Sequence, residues 1–131
     1  EMPIQYQGII AEHSAVRKSA GIFDVSHMGE FLVWGKDAVS YLNYLVPNDI
    51  NKIKEEGKGL YTQICHKNGG TIDDLIIYNR GTDFLVVVNA SNIEKDWKWF
   101  NENKTGFDIH LKNISDHTCL IAIQGPKAEE L

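Results

Sequence analysis

Hydrophobic and polar positions are most regularly arranged in the middle of the chain, on either side of Lys67-Asn68-Gly69-Gly70. The runs 60–66 and 71–79 are rich in β-branched and aliphatic residues, which favour strands. Asn-Gly followed by a second glycine supplies the positive φ angle that a tight hairpin turn requires. The pattern therefore predicts a β-hairpin, and the apolar run 84–89 predicts the next strand.

Apolar residues at helical spacing occur in three other segments. The first, residues 9–20, has an inner stripe that includes His13 and stops at a glycine. A second helix is expected between Asp37, which can cap it, and Pro47, which ends it. Its expected inner face is Ala38, Tyr41, Leu42 and Leu45. Residues 91–94 match a capping box and predict the start of a third helix.

The remaining apolar runs predict shorter strands. Residues 31–34 read as a strand, 107–112 as a half-buried strand and 118–124 as a buried one, whereas the polar segment 48–57 predicts an exposed loop. Residues 22–30 mix polar and apolar side chains without a helical period. Hairpin-linked strands with helices between the groups favour an α+β fold, with a largely antiparallel sheet covered by helices.

Composition and charge exclude several classes of protein. The chain has 131 residues, of which 43% are hydrophobic and 24% charged, as in an ordinary globular domain. The net charge of −5, with at most two basic residues in a row, argues against nucleic-acid binding. The longest aliphatic or aromatic run, residues 84–88, is too short to span a membrane, and no signal peptide is visible.

Cysteine and histidine spacing gives no metal motif. Cys65 and Cys119 form no Cys-x-x-Cys pair, and none of the five histidines has the spacing of a metal ligand. Both cysteines are therefore expected to be reduced, strand-borne small hydrophobes in a reducing compartment, which predicts a cytoplasmic protein without a bound metal.

Two adjacent carboxylates, Asp73 and Asp74, stand in the strand that leaves the hairpin turn. Side chains alternate along a strand, so one face carries Asp74 with Ile72, Ile76 and Tyr78, and the other carries Asp73 with Leu75 and Ile77. Both faces are apolar beyond the turn, which predicts a strand covered on both sides. A carboxylate there is costly unless it is paired, neutralised or used, although it can also serve as an acceptor for turn N–H groups.

Three polar points interrupt the apolar strands, at residues 26–29, 73–74 and 89–92. The last two belong to consecutive strands, so they are expected to be neighbours. A carboxylate and an amide there can bind the edge of a planar heterocycle, and Met28 can supply a soft apolar face. Each of these residues also has a purely structural interpretation: Met28 can fill the core, Asn89 can cap the entry to a helix, and His27 can hydrogen-bond to a backbone carbonyl. Taken together, the three polar points predict a small-molecule pocket.

Several blocks of the sequence resemble the glycine-cleavage T-protein family, the tetrahydrofolate-dependent aminomethyltransferases. The most specific block is Gly21-Ile22-Phe23-Asp24-Val25-Ser26-His27-Met28-Gly29-Glu30. The likeness also includes residues 9–17, 69–76, 87–92 and 123–128, in the family's order and over almost the whole chain. Members of this family transfer an aminomethyl group from the lipoyl arm of the H-protein to tetrahydrofolate, releasing ammonia and forming 5,10-methylenetetrahydrofolate.

The resemblance also assigns roles to individual positions. It implies that Asp74 is the functionally critical acid and a folate contact. The other folate-contacting positions that it implies are Met28, Leu60, Ile76, Val87 and Asn89. Tetrahydrofolate is then a co-substrate and the lipoylated H-protein a partner, with no metal involved.

The family's enzymes have three domains around a central folate site, and this chain resembles the first. Residues 1–131 are therefore expected to be a fragment, the amino-terminal part of the folate-binding region without the later domains, not fully active alone and open to self-association through exposed apolar surface. Two alternatives are a folate-binding module of the iron–sulfur assembly type, without transferase activity, and the folate domain of a sarcosine or dimethylglycine oxidoreductase. The intact Ser-His-Met-Gly and Gly-Gly-x-Ile-Asp-Asp blocks favour the transferase.

Overall fold

The computed structural model describes residues 3–131, so residues 1 and 2 of the expected domain lie outside the described part. The chain forms two compact units. One consists of the residues up to Ser26 together with Cys119–Leu131, and the other of His27–Thr118.

Three α-helices and seven strands are present in the described residues. The helices are α1 (Ile9–Lys18), α2 (Ala38–Leu45) and α3 (Ile93–Glu102). The strands are β1 (Gly21–Asp24), β2 (Gly29–Trp34), β3 (Gly59–Cys65), β4 (Thr71–Asn79), β5 (Phe84–Val88), β6 (His110–Asn113) and β7 (Ile121–Gln124).

The unit formed by His27–Thr118 contains a five-stranded sheet in the order β3-β4-β5-β2-β6. Every neighbouring pair is antiparallel. The hairpin from β3 to β4 turns where the sequence predicts it, and Gly69 there has φ 87°, which a residue with a side chain rarely adopts. These observations confirm the α+β class with a largely antiparallel sheet.

The core of this unit lies between one face of the sheet and the helices α2 and α3. Phe31, Ile77 and Val86 share that face, since β5 pairs Val86 with both of the others. Tyr41 of α2 donates a 2.6 Å hydrogen bond to the carbonyl of Phe100 in α3, which joins the two helices over the sheet. The buried residues of α2 are Ala38, Tyr41, Leu42 and Leu45, as predicted.

Two local expectations for this unit are wrong. The segment 48–57 is not simply an exposed loop, because Ile50–Ile53 forms a 3₁₀ turn that buries both isoleucines in the core. The capping box at 91–94 does not form: a 3₁₀ turn, Ala90–Asn92, precedes α3, and no side chain caps the helix at Asn92. The backbone N–H of Asn92 instead donates to the backbone carbonyl of Asn89, so the helical turn begins before α3.

The other unit contains α1 and a two-stranded sheet in which β1 pairs with β7. The strand predicted at 118–124 begins only at Ile121, which is exposed, and Cys119 lies outside it and is also exposed. The expectation of a buried strand is wrong, because apolar side chains of this two-stranded sheet remain exposed to solvent. None of the helices in residues 3–131 has the length and apolar character needed to cross a membrane.

Candidate functional site

Three of the residues singled out from the sequence lie in one row across the sheet. Val88 of β5 is paired in register with Leu75 of β4 and with Gly29 of β2. At the adjoining positions, Asp74 precedes Leu75 in β4, Asn89 directly follows β5 and contacts Asp74, and Met28 directly precedes β2. The antiparallel pairing of these strands therefore brings together polar points that lie far apart in the sequence.

The amide of Asn89 is oriented by three acceptors. Its Nδ2 donates to Oδ1 of Asp74 at 2.9 Å, to the backbone carbonyl of Asp74 at 3.1 Å and to Oδ1 of Asp73 at 3.0 Å. An amide nitrogen has two hydrogens and the amide oxygen has none, so these acceptors determine which end of the amide faces the two acids. The oxygen of Asn89 points away from them and can accept a hydrogen bond from a ligand N–H group.

Tyr61 holds the second oxygen of Asp74. The Tyr61 hydroxyl donates a 2.7 Å hydrogen bond to Oδ2 of Asp74 across the β3–β4 pair. This bond and the nearby negative charge of Asp74 raise the pKa of Tyr61 above its usual value. Each oxygen of Asp74 thus accepts one hydrogen bond, from the Tyr61 hydroxyl and from the Asn89 amide.

Sequence reasoning missed Tyr61, although a signal for it exists in the hairpin. A symmetrical hairpin about residues 67–70 pairs 66 with 71 and therefore Tyr61 with Ile76. The structure has this pairing, in spite of a bulge between Ile64 and Cys65. Directly opposed residues share a face of the sheet, and so do residues two apart in one strand. Tyr61, Ile76 and Asp74 therefore lie on one face.

The apolar wall beside Asp74 comes from two neighbouring strands. Ile76 of β4 is in register with Val87 of β5, so both share the face of Asp74. Leu60 is not part of that wall. It is in register with Ile77 and packs against the core on the helix side, because successive residues of a strand point to opposite faces. The structure thus brings Ile76, Val87 and Asn89 to Asp74 but separates Leu60 from them.

Asp73 and Asp74 differ in burial as the alternation of β4 requires. Asp73 is only 7% exposed and lies on the helix-covered face, whereas Asp74 is half-buried. The expectation that β4 is covered on both sides is wrong within this unit, because α2 and α3 pack on one face only. Neither acid stabilises the hairpin turn as the alternative required: the Gly70 amide there donates to the side chain of Asn68.

A second buried acid, Asp96 of α3, contacts Asp73. Asp96 is fully buried, and its pKa is raised to about 7 by burial, by its hydrogen bond to Asp73 and by the charge of Asp73. Burial acts to raise the pKa of Asp73 as well, but hydrogen bonds from Asp96, Asn89 and Asn92 outweigh it and hold that pKa below its usual value. The local sequence pattern gave no sign of Asp96, which lies in the chain 23 positions after Asp73.

Met28 and its neighbours form the β2 end of the row. Met28 is half-buried and His27 is exposed. A Cβ on Gly29 would lie 2.6 Å from Cγ1 of Ile93 and 2.7 Å from Cγ2 of Val88, so glycine is what allows α3 to approach the sheet there. Glu30, the next residue, is fully buried, and burial raises its pKa. Neither carboxyl oxygen of Glu30 has a hydrogen-bond partner among the described residues.

The groups available at this site suit an organic ligand. It offers a carboxylate, an amide oxygen, a phenol and the apolar side chains of Ile76 and Val87, which together can contact a flat, nitrogen-rich ring. In residues 3–131 no group of three or more His, Cys, Asp or Glu side chains is arranged to hold a metal ion.

Comparisons with known proteins agree with this architecture. A family model described as "GCVT N-terminal domain" matches residues 1–131. The chain is 53% identical over 131 residues to the aminomethyltransferase of Thermotoga maritima, a match that covers 99% of the chain and 36% of that protein. It is 50% identical over 131 residues to the aminomethyltransferase of Thermoanaerobacter pseudethanolicus, covering 99% of the chain and 35% of that protein.

A solved structure extends the likeness to the fold. The crystal structure of glycine cleavage system aminomethyltransferase T from Bartonella henselae matches with a TM-score of 0.87 and 33% sequence identity, covering 98% of this chain and 36% of that chain. The likeness confirms the fold expected from the sequence. The chain spans about 36% of the length of the relatives that it matches.

Proposed function

Because the chain belongs to the GCVT N-terminal domain family, we propose that it supplies one wall of the folate site of an aminomethyltransferase of the glycine cleavage system. In this proposal the full-length protein moves an aminomethyl group from the lipoyl arm of the H-protein to tetrahydrofolate. Ammonia is released and 5,10-methylenetetrahydrofolate is formed. Residues 1–131 are the amino-terminal part of the folate-binding region, and tetrahydrofolate is a co-substrate.

The observation that carries the proposal is the paired support of the Asp74 carboxylate. Oδ1 of Asp74 is held by Asn89 at 2.9 Å and Oδ2 by Tyr61 at 2.7 Å. A carboxylate held at both oxygens is preorganised, since it need not reorient when a positive charge develops near it. Ile76 and Val87 on the same face offer apolar contacts to a pterin ring, and Met28 adds a polarisable side chain at the end of the row.

Asp74 has a defined task in the transfer. The methylene carbon of the aminomethyl group forms bonds to two folate nitrogens as its bonds to the lipoyl sulfur and to the amino nitrogen break, which releases the lipoyl thiol and ammonia. The attacking folate amine nitrogen gains positive charge as it forms its bond. Asp74 orients the amine, stabilises that charge and accepts the proton that the nitrogen loses. Acid–base assistance of this kind contributes roughly 10²–10⁴-fold to a rate, or about 3–5 kcal/mol of barrier.

Asn89 adds selectivity in this arrangement. Its amide nitrogen is occupied by the two aspartates, so only its oxygen is presented to the ligand. An acceptor at that point favours a ring edge with an N–H group and disfavours a ring that presents a lone pair there, because the two acceptors would then face each other unpaired.

The test uses the full-length protein with aminomethylated, lipoylated H-protein. We expect tetrahydrofolate-dependent release of ammonia and formation of methylenetetrahydrofolate, together with saturable binding of tetrahydrofolate in a calorimetric titration. Binding without ammonia release would replace the proposal with a folate-binding module that is not a transferase. Absence of tetrahydrofolate binding would overturn the assignment of the site.

A further inference from the structure

Behind the candidate site lies a pair of carboxyl groups that the proposed reaction does not use. Asp96 is 0% exposed and Asp73 is 7% exposed, and the two side chains are within hydrogen-bond contact. Oδ2 of Asp73 and both oxygens of Asp96 have no N–H or hydroxyl donor among the described residues. Two ionised carboxylates have no hydrogen to share, so a bond between them requires that one of them is protonated.

The surroundings decide which acid carries the proton. Asp73 accepts hydrogen bonds from the side chains of Asn89 and Asn92 and from the backbone N–H of Asp74, and all of these favour its charged form. Asp96 receives no such donor. Asp96 is therefore the protonated member, and its carboxyl O–H is directed at Asp73.

We propose that Asp96 is a positioning residue: its protonated carboxyl donates to Asp73 and so holds Asp73 in place to orient the Asn89 amide beside Asp74. The consequence for ligand binding rests on the proposed function. The hydrogen-bond chain runs from Asp96 through Asp73 and the Asn89 amide to Asp74. At its other end, the Tyr61 hydroxyl donates to Oδ2 of Asp74.

Loss of the proton from Asp96 has a definite effect on this chain. Two negative charges are then in contact in a water-poor site, and their repulsion displaces Asp73 from Asn89. The charged groups that act on Asp96 are Asp73 and Asp74 from β4 and Lys95 from its own helix. The Lys95 ammonium donates to the carbonyl of Ile72 at 2.7 Å, and its charge only partly offsets the two aspartates.

The pH dependence follows from the direction of the shift. The pKa of Asp96 is raised to about 7, so the complete chain is present below that pH and is lost as the pH rises through it. Tetrahydrofolate is therefore expected to bind roughly five- to tenfold more weakly at about pH 9 than at about pH 6, within the usual range for coupled sites.

The decisive variant in the full-length protein is Asp96→Asn. Asparagine keeps the size and offers an N–H donor to Asp73 at every pH, so the variant is expected to bind tetrahydrofolate almost equally from about pH 6 to about pH 9. The matched control is Glu94→Gln, an exposed residue of the same helix, which should keep the wild-type pH dependence. A purely structural role for Asp96 would lower stability in the variant without flattening this profile, and that result would overturn the proposal.

A second readout does not depend on folate. Glu30 is the other buried carboxyl group whose pKa burial raises, so this readout is made with every protein carrying Glu30→Gln. With Asp96 intact, the protein at about pH 6 should show the infrared carbonyl band of a buried protonated carboxyl group, and this band should vanish as the pH rises through the pKa of Asp96. Asp96→Asn should lack the band. Asp73→Asn, which keeps Asp96 but removes the neighbouring charge, should shift the loss of the band to lower pH. Persistence of the band in Asp96→Asn would overturn the proposal, whereas a correct band in a protein that binds no tetrahydrofolate would overturn only the proposed function.

Discussion

Asp73 and Asp74 point to opposite sides of β4, yet both accept a hydrogen bond from one amide nitrogen. Nδ2 of Asn89 lies 3.0 Å from Oδ1 of Asp73 and 2.9 Å from Oδ1 of Asp74. Asp73 also contacts the buried Asp96, and Asp74 also accepts a hydrogen bond from the hydroxyl of Tyr61. The amide therefore connects a buried acid pair to the half-buried carboxylate of the candidate site.

The two adjacent aspartates should differ sharply on substitution. Asp74→Asn in the full-length protein is expected to lower the steady-state rate of aminomethyl transfer by roughly 10²–10⁴-fold, because an amide cannot accept the proton of the folate amine. Asp73→Asn should cost much less, and neither change should alter the fold, as circular dichroism would show. The face assignment fails if Asp73→Asn is the more damaging variant.

Tyr61→Phe tests the outer support of Asp74. The change removes one hydrogen bond to a carboxylate, worth about 1–2 kcal/mol at this partly solvated position, so the transfer rate should fall roughly 5- to 30-fold. Tyr61 is 61% exposed, so the melting temperature should stay nearly constant. Tyr78→Phe, near the far end of β4, is the control. An equal loss of rate in Tyr78→Phe would show that Tyr61 has no specific role.

Asn89→Asp tests the amide between the acids. A third carboxylate beside Asp73 and Asp74 repels both, so the folded-state pKa of the new acid should lie above its unfolded value. Its contribution to stability is then unfavourable and grows as the pH rises from the unfolded towards the folded pKa. Urea unfolding should show a loss on the order of 1–3 kcal/mol relative to wild type at about pH 8 and a smaller loss at about pH 5. A loss independent of pH would contradict this account.

Glu30→Gln should increase stability near neutral pH. Burial raises the folded-state pKa of Glu30, so in wild type the unfolded chain ionises first as the pH rises and stability is lost between the unfolded and the folded pKa. Glutamine does not ionise, and the variant should gain about 1–2 kcal/mol at about pH 7 and nothing at about pH 4. Glu94→Gln, on the exposed side of α3, should show no gain at either pH. A destabilised Glu30→Gln protein would contradict this account, because it would indicate that both oxygens of the carboxyl group accept hydrogen bonds, which the single carbonyl oxygen of glutamine cannot replace.

Local patterns in the sequence were sufficient for the elements that surround the site. The Asn-Gly-Gly turn and its flanking apolar runs predicted the β3–β4 hairpin, and the spacing of apolar residues predicted the buried face of α2. The alternation of β4 correctly assigned Asp73 and Asp74 to different faces. These features depend on side-chain spacing within one element or on the turn between two consecutive elements. Residues close together in the sequence determine both.

Other expectations failed where distant residues decide the outcome. Leu60 and Tyr61 are adjacent, and the symmetry of the hairpin places Tyr61 on the face of Asp74, but only the packing of α2 and α3 shows that the helices cover the opposite face, which carries Leu60. The pairing of β1 with β7 joins segments about a hundred positions apart in the sequence, and the spacing of apolar residues within either segment does not indicate this pairing.

The sequence by itself thus determined the strands that carry Asp74, Ile76 and Val87, the position of Asn89 at the end of a strand, and the family to which the chain belongs. Only the tertiary structure decided that Asp96 meets Asp73 and that one amide joins Asp73 to Asp74. The physical reason is that periodicity records which side chains share a face of one element. Which faces meet depends on the burial of apolar surface between elements, and the acids of β4 and α3 are brought together as a consequence of that packing.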